Sequence, residues 1–304
     1  MKNRNEFVSM GEGNTPLIRL RQLERTVPWQ GELWAKAEYM NPTGSFKDRG
    51  SVAEIQKARQ MGKAGIVCAS TGNMAASLSA YAARAQLPCL VVVPETTPFG
   101  KLKQAIVCGA SVIKVKGVYD ACVDKAVDIA KNRNYYLCGD YEVRRIGQQT
   151  IGIELAKSDT LFDAFICPVG NGTVGCAVSQ GFASRNQYPR FIGVQGKGAD
   201  PIYKAWKTNR SIIQIAEPST IASAMNVGNP IDGDLTLQRI QKTNGMMLSV
   251  SDEEIVKAQR LLAKIEGIFV EKAATATVAG LTKIKNKNQT IVLILTGNGL
   301  KENM

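Results

Sequence analysis

Short apolar runs alternate with helical stretches along most of the 304 residues, and this alternation limits the folds open to the chain. Each run has the length of a buried strand, and the stretches between them repeat apolar residues at helical spacing. Such βα units form parallel sheets with helices on both faces, so we predict an α/β protein. The predicted strands are 33–39, 65–69, 89–93, 111–115, 135–138, 164–169, 191–195 and 290–296, and the predicted helices include 74–85, 119–133, 148–157 and 252–266.

Residues 41–50 place one lysine at the junction of a strand and a helix. The sequence Asn-Pro-Thr-Gly-Ser-Phe-Lys-Asp-Arg-Gly favours a turn, and Ser45 with Asp48 predicts a capping box that begins the helix. Lys47 then lies in the first turn, where the helix dipole and Arg49 favour a neutral amine. A neutral lysine at the carboxyl end of a strand suits a Schiff base with an aldehyde cofactor, although most lysines are ordinary surface charges.

Two further loops each follow a predicted strand and precede a helix, where backbone N–H groups and the helix dipole attract anions. Residues 70–73, Ser-Thr-Gly-Asn, suit a carboxylate or form an ordinary capped turn. Residues 170–175, Gly-Asn-Gly-Thr-Val-Gly, can close backbone amides around a phosphate. The second loop also fits the dinucleotide fingerprint, but Gln195 stands where that reading needs an acid, so a dehydrogenase is the weaker interpretation.

Composition excludes several classes of function. The chain has no histidine, which excludes Ser/His/Asp and Cys/His machinery. Its seven cysteines are dispersed, which favours buried thiols in a reducing cytosol and argues against a disulfide framework or a metal site. The net charge of +12 comes from scattered residues, so we expect no nucleic-acid partner. Without a visible signal or a long apolar run, we expect a cytoplasmic protein with no membrane contact.

These loops, with a fourth at 295–301 that alone would be a strand-ending turn, resemble those of threonine synthases. That family belongs to the pyridoxal-phosphate (PLP) enzymes of the tryptophan synthase β fold, also called fold type II. The resemblance extends over nearly the whole chain. It implies the cofactor ligands Lys47, Asn73, Gly170, Asn171, Gly172, Thr173, Val174 and Thr296, and the substrate ligands Ser70, Thr71, Gly72 and Arg144.

The resemblance also implies a role for each of these groups. Lys47 would carry the Schiff base, Asn73 would meet the phenolic oxygen, and residues 170–174 would enclose the phosphate. Thr296 would meet the pyridine nitrogen, and a hydroxyl there favours elimination and replacement over transamination. Glu271 matches a family position near the cofactor, or is a helix N-terminal carboxylate.

The implied architecture has two doubly wound domains with parallel or mixed sheets. A large PLP-binding domain would combine residues 1–51 and 143–304, and a small domain of residues 52–142 would carry the Ser-Thr-Gly-Asn loop. The implied assembly is a homodimer. The implied substrate is a small phosphorylated amino acid.

Departures from the family pattern concern the substrate more than the cofactor. They are Met74 for threonine, Val118 for asparagine, Ile146 for glutamate, Gln149 for lysine, Asn226 for a basic or small residue, and Lys272 for proline. The family reaction eliminates phosphate from O-phosphohomoserine and adds water to give threonine. The alternatives are β-replacement on O-phosphoserine, as in cysteate synthase relatives, a serine or threonine dehydratase, and a non-catalytic paralogue. Arg144, Arg145 and Lys101 favour an anionic leaving group.

Overall fold

The computed structural model describes residues 8–117 and 119–302, which group into two compact units. Unit 1 comprises residues 8–13 and Asn41–Gln148, and unit 2 comprises Asn14–Met40 and Gln149–Glu302. Along the described residues, the chain passes from unit 1 to unit 2, returns to unit 1 at Asn41 and continues in unit 2 from Gln149. The implied functional division at residues 52 and 142 stays a prediction.

The strands and helices follow each other in the predicted alternation. The strands are β1 (Leu17–Arg19), β2 (Glu32–Lys36), β3 (Gly65–Ala69), β4 (Cys89–Pro94), β5 (Ser111–Val115), β6 (Tyr135–Cys138), β7 (Ala164–Pro168), β8 (Arg190–Gly196), β9 (Met246–Val250) and β10 (Thr290–Ile294). The α-helices are α1 (Arg21–Thr26), α2 (Lys47–Gln60), α3 (Asn73–Ala85), α4 (Phe99–Val107), α5 (Tyr119–Asn132), α6 (Glu142–Gln148), α7 (Thr150–Ala156), α8 (Thr173–Ala183), α9 (Pro201–Thr208), α10 (Gly233–Lys242), α11 (Asp252–Glu266) and α12 (Lys272–Leu281).

Unit 1 is built on a four-stranded parallel sheet in the order β5-β4-β3-β6. Every residue of β3 is buried, because separate apolar clusters cover its two faces. One cluster includes residues of α2, α3 and α4, and the other includes residues of α5. A central parallel strand therefore appears in the sequence as an uninterrupted apolar run.

Unit 2 is built on a six-stranded sheet in the order β1-β2-β10-β7-β8-β9. Only β1 runs antiparallel to its neighbour, so the sheet is mixed, as the sequence predicts. Phe165 stacks on Phe182 and Phe191 with ring centroids 5.8 and 4.8 Å away. A Cβ on Gly175 would lie 2.2 Å from the Phe191 ring, so glycine allows α8 to pack closely on this aromatic layer.

The predicted fold class is confirmed, and most predicted elements match the observed ones within two residues. The capping box at Ser251 and Glu254 is present at the start of α11. Strands β1 and β9 escape sequence prediction. Within the described residues no disulfide joins the seven cysteines. None of the helices between residues 8 and 302 is both long and apolar enough to cross a membrane.

Candidate active site

Helix α2 begins at Lys47, directly after the turn that the sequence predicts. Gly44 supports this turn with φ of +84°, a value that favours glycine. The predicted capping box is wrong, because the helix start has no side-chain cap and the buried Ser45 hydroxyl has no hydrogen-bond partner among the described residues. Asp48 instead accepts hydrogen bonds from the Thr43 hydroxyl and, over 2.7 Å, from the Thr43 N–H. The Asp48 carboxylate therefore stabilises the turn that precedes α2.

The amine of Lys47 faces a carboxylate that no sequence motif marks. Nζ lies 3.1 Å from Oδ1 of Asp140 and 5.0 Å from the centroid of the Phe46 ring. Both charged side chains are largely buried, with 17% and 12% of their surface exposed. The sequence predicts a neutral amine here, whereas the observed neighbour is the natural partner of an ammonium group. One signal was available, because Asp140 lies just beyond the carboxyl end of β6, where α/β proteins place functional groups.

A buried ion pair fixes the peptide that precedes Asp140. The Nη2 group of Arg144 donates to Glu54, and its Nε donates to the Gly139 carbonyl over 3.0 Å. The Gly139 N–H donates to the same Glu54 carboxylate over 2.9 Å. Both the N–H and the carbonyl of Gly139 therefore make hydrogen bonds to buried side chains. Burial raises the pKa of Glu54 to about 7, although the Arg144 guanidinium lowers it.

The sequence predicts a substrate contact for Arg144, and the structure places this side chain fully inside unit 1. Its Nη1 lies 3.4 Å from the backbone carbonyl of Lys47. Two glycines permit this approach, since a Cβ on Gly50 would lie 2.5 Å from Arg144 Cγ and one on Gly147 would lie 2.0 Å from the Arg49 carbonyl. A substrate contact would require this network to open. The role of Arg144 toward substrate stays a prediction.

The Ser-Thr-Gly-Asn segment connects β3 with α3, as the sequence predicts. Asn73 is the first helical residue, and the Gly72 N–H donates to the Ser70 hydroxyl over 3.4 Å. A Cβ on Gly72 would meet no atom within 4 Å. The loop is thus accessible from the side of Gly72, at the N-terminal end of a 13-residue helix. Its predicted contacts with a carboxylate and, through Asn73, with the cofactor stay predictions.

In unit 2, residues 169–172 connect β7 with α8, and Thr173 and Val174 are the first two residues of the helix. Gly172 has φ of +92°, and a Cβ on it would lie 2.2 Å from the Thr236 hydroxyl, so the loop requires glycine here. The hydroxyl of Thr173, the first residue of α8, is buried and has no hydrogen-bond partner among the described residues. A buried hydroxyl without a partner costs free energy, and a helix N-terminus attracts anions. This position fits a phosphate group.

The dinucleotide alternative receives no support from the residue that it depends on. Gln195 is fully buried at the end of β8. Its Oε1 accepts a hydrogen bond of 2.9 Å from the Tyr203 N–H in α9. The Gln195 side chain therefore connects β8 to α9 inside unit 2.

The residues after β10 form a second polar group in unit 2. The Thr296 hydroxyl donates to Glu271 over 3.0 Å, and both side chains are buried. Glu271 directly precedes α12, and its side chain does not cap the helix. A Cβ on Gly297 would lie 2.4 Å from the carboxyl carbon of Glu271, so glycine makes room for this pair.

The family departures lie in different environments. Met74 packs in the apolar core of unit 1, Ile146 is exposed, and Gln149 is partly exposed. Lys272 pairs with Glu302 over 3.0 Å, which anchors the start of α12. Val118 lies outside the described residues.

Comparison with known proteins places the chain in a family. A family profile described as "Pyridoxal-phosphate dependent enzyme" matches residues 8–297. A threonine synthase of Methanocaldococcus jannaschii is 41% identical, covering 99% of this chain and 78% of that protein. A threonine synthase of Halalkalibacterium halodurans is 40% identical, covering 97% and 85%. The structure of maize serine racemase, 21% identical, matches with a TM-score of 0.86 over 97% of this chain and 91% of that one.

The chain belongs to the family of PLP-dependent enzymes, and its cofactor is PLP. Among its relatives in that family, those at about 40% identity carry the name threonine synthase. The residues present fit the cofactor, since the buried hydroxyl of Thr173 and the glycine-rich turn before α8 suit its phosphate. The amine of Lys47 at the start of α2 suits its aldehyde.

Proposed function

We propose that the protein is a PLP-dependent carbon–oxygen lyase that converts O-phosphohomoserine to threonine and phosphate. The observation that carries the proposal is the 41% identity to a threonine synthase over 99% of this chain. Identity at that level over the whole length includes both units and every loop described above. We further propose a phosphorylated amino-acid substrate, a homodimer, and a cytoplasmic location.

In this proposal each group keeps the role that the family resemblance implies. Bound PLP supplies an electron sink for the carbon atoms of the substrate. Lys47 attaches the cofactor and then moves protons at the α and β carbons, because the chain has no histidine for this task. Residues 170–174 hold the phosphate and Thr296 meets the ring nitrogen. Ser70, Thr71 and Gly72 orient the substrate carboxylate, and Asn73 orients the cofactor.

One observation supports a second candidate within the same class. The guanidinium of Arg144 is committed to Glu54 and to backbone carbonyls, so it adds no cation for a phosphate leaving group in this arrangement. A substrate with a smaller leaving group, such as serine or threonine, would need no such cation. O-phosphoserine is an intermediate case, with a phosphate closer to the α carbon.

The test is an assay of the purified protein with O-phosphohomoserine, O-phosphoserine, serine and threonine. Absorbance reports the state of PLP, and released phosphate and keto acid report turnover. We expect threonine and phosphate from O-phosphohomoserine, and loss of both the cofactor band and turnover in Lys47→Ala. Lys57→Ala, an exposed lysine on the same helix, is the matched control. Turnover of serine or threonine alone would replace the first candidate with the second, and full activity of Lys47→Ala would refute both.

A further inference from the structure

Asp140 stands in direct contact with the proposed reactive atom. Its Oδ1 lies 3.1 Å from Lys47 Nζ, which is ordinary hydrogen-bond distance for a charged pair. The side chains are 17% and 12% exposed, so water screens this pair less than an ion pair at the surface. No part of the proposed function uses this carboxylate.

The position of Asp140 is fixed by a buried clamp. Glu54 and Arg144 together hold the N–H and the carbonyl of Gly139, the residue just before it. Arg144 also lies 3.4 Å from the Lys47 carbonyl, so the same side chain touches both members of the pair. Because buried side chains hold the residue before Asp140, the carboxylate has a fixed position opposite the Lys47 amine, whereas mobile surface groups meet only by chance.

Other charged side chains of unit 1 lie on α2 itself and on α6, which packs on it, and the buried Arg49 on α2 is one of them. From α6, Arg144 faces its backbone carbonyl, with Nε 4.0 Å from Asp140. On α2 itself, Glu54 is paired with Arg144, and Asp48 is turned to Thr43 and Ser77. Asp140 is the carboxylate that lies within hydrogen-bond distance of the Lys47 amine, at 3.1 Å.

The Asp140 carboxylate also influences Tyr119, a residue of α5. The Tyr119 hydroxyl donates to the Ala69 carbonyl over 3.0 Å, at the end of β3. Burial of this phenolic end, followed by the Asp140 carboxylate, raises the pKa of Tyr119.

We propose that Asp140 is the acid–base partner of Lys47, holding the amine as an ammonium ion whenever it is not bonded to the cofactor. This inference rests on the proposed function, in which Lys47 is the Schiff-base lysine. Before bonding, one proton leaves the ammonium for the Asp140 carboxylate, and the acid then returns it to solvent. The nitrogen lone pair of the neutral amine forms the bond to the aldehyde carbon. The aldehyde oxygen leaves as water with the two remaining nitrogen hydrogens.

The first measurement is covalent capture of PLP by the full chain, freed of cofactor, at several pH values. Borohydride reduction fixes the cofactor, and mass spectrometry identifies the modified lysine. In Asp140→Asn we expect capture at Lys47 to extend to lower pH, with roughly three- to tenfold more product near neutrality. The reason is that a contacting carboxylate favours the ammonium form, which cannot attack an aldehyde.

The second measurement is turnover of O-phosphohomoserine. We expect kcat of Asp140→Asn to fall by roughly tenfold or more, with little change in KM, because the released amine has lost its proton acceptor. Asp140→Glu should recover part of kcat and the parental pH profile, a rescue that a purely structural role would not give. Asp120→Asn, which removes an exposed carboxylate from the same unit, is the control and should match the parent.

Two failures are distinguishable. If the parent fixes PLP on a lysine other than Lys47, the proposed function fails and this inference fails with it. If the parent fixes PLP on Lys47 and Asp140→Asn shows the parental capture profile, only the inference is overturned, even where O-phosphohomoserine is not the substrate. Should Asp140→Asn not fold, Asp140→Ser, which also removes the carboxylate, takes its place. Capture that extends to lower pH together with a lowered kcat would support the inference, and parental capture with parental kcat would overturn it.

Discussion

Single side chains with unmet or costly polar groups mark the candidate site more clearly than its shape does. The Thr173 hydroxyl is buried without a partner, and Glu54 is a buried acid beside a buried arginine. Folding gains nothing from leaving a buried hydroxyl unpaired. Replacing either of these two groups should change the stability of the protein in a measurable direction.

Thr173→Val should separate cofactor binding from stability. We expect PLP affinity to fall by roughly tenfold, because a hydrogen bond to a charged group contributes about 1.5–3 kcal/mol. The cofactor-free protein should be as stable as the parent or slightly more so, since an unpaired hydroxyl leaves the interior. Titration with PLP and thermal melting measure the two effects. Thr277→Val, whose hydroxyl bonds within α12, is the control and should leave affinity unchanged. Equal PLP affinity in Thr173→Val and the parent would remove this hydroxyl from the phosphate site.

Glu54 should make stability fall as the pH rises toward neutrality. Its pKa is raised from 4.5 to about 7, mainly by burial, so between these values the folded chain keeps a proton that the unfolded chain has released. The stability contributed by this group is fully present below the unfolded pKa and is lost as the pH rises through the folded one. In denaturant unfolding from pH 4.5 to pH 8, the free energy of unfolding of the parent should decline relative to that of Glu54→Gln as the pH rises. Parallel curves for the two proteins would contradict the assignment.

At the scale of elements, close helix crossings depend on glycine. A Cβ on Gly181 would lie 2.1 Å from the Gln149 carbonyl, and one on Gly152 would lie 2.1 Å from the Val178 carbonyl. The two glycines thus let α7 and α8 touch backbone to backbone in unit 2. Since α8 begins with Thr173, this crossing also helps to set the position of the glycine-rich loop.

Gly181→Ala should therefore destabilise unit 2 by roughly 1–3 kcal/mol, the usual cost of overpacking. The clash is with backbone atoms, which cannot rotate away. Gly267→Ala is the matched control, because its Cβ would meet no atom within 4 Å and only its φ of +68° carries a cost. Unfolding in denaturant measures both. A Gly181→Ala protein no less stable than Gly267→Ala would show that the helices can separate without cost.

Elements buried on both faces were predictable from sequence, and those at the edges were not. β3 coincides with its apolar run because apolar clusters cover both sides. β1 has only 3 residues, and β9 is an edge strand with mixed burial. Neither strand therefore shows a clear periodic pattern of apolar residues in the sequence. Likewise, Lys47 was found from its local turn, whereas Asp140 contacts it from 93 residues away and no local pattern encodes that contact.

At the scale of the whole molecule, the formal net charge of +12 should act on an anionic substrate. We expect kcat/KM for O-phosphohomoserine to fall severalfold as ionic strength rises from about 0.01 to 0.1 M, because the screening length shortens from about 30 to 10 Å. Binding of serine, which has no net charge, followed through the absorbance of PLP in the same salt series, is the control and should show little change. Steady-state kinetics in a salt series measure this. A response that is the same for both compounds would rule out electrostatic steering.

The pairing of β2 with β10 also governs the order in which the chain can fold. Residue Thr290 aligns with Glu32 and Ile294 with Lys36, so a strand made early in synthesis receives its parallel neighbour only when almost all of the chain exists. Contacts between such distant segments form slowly, because a long loop must close first. During translation β2 therefore exposes an unpaired edge that another nascent chain could occupy. A chain that stops before Thr290 would keep Lys47 and its helix, yet β2 would have no partner for this edge, and we expect such a chain to aggregate.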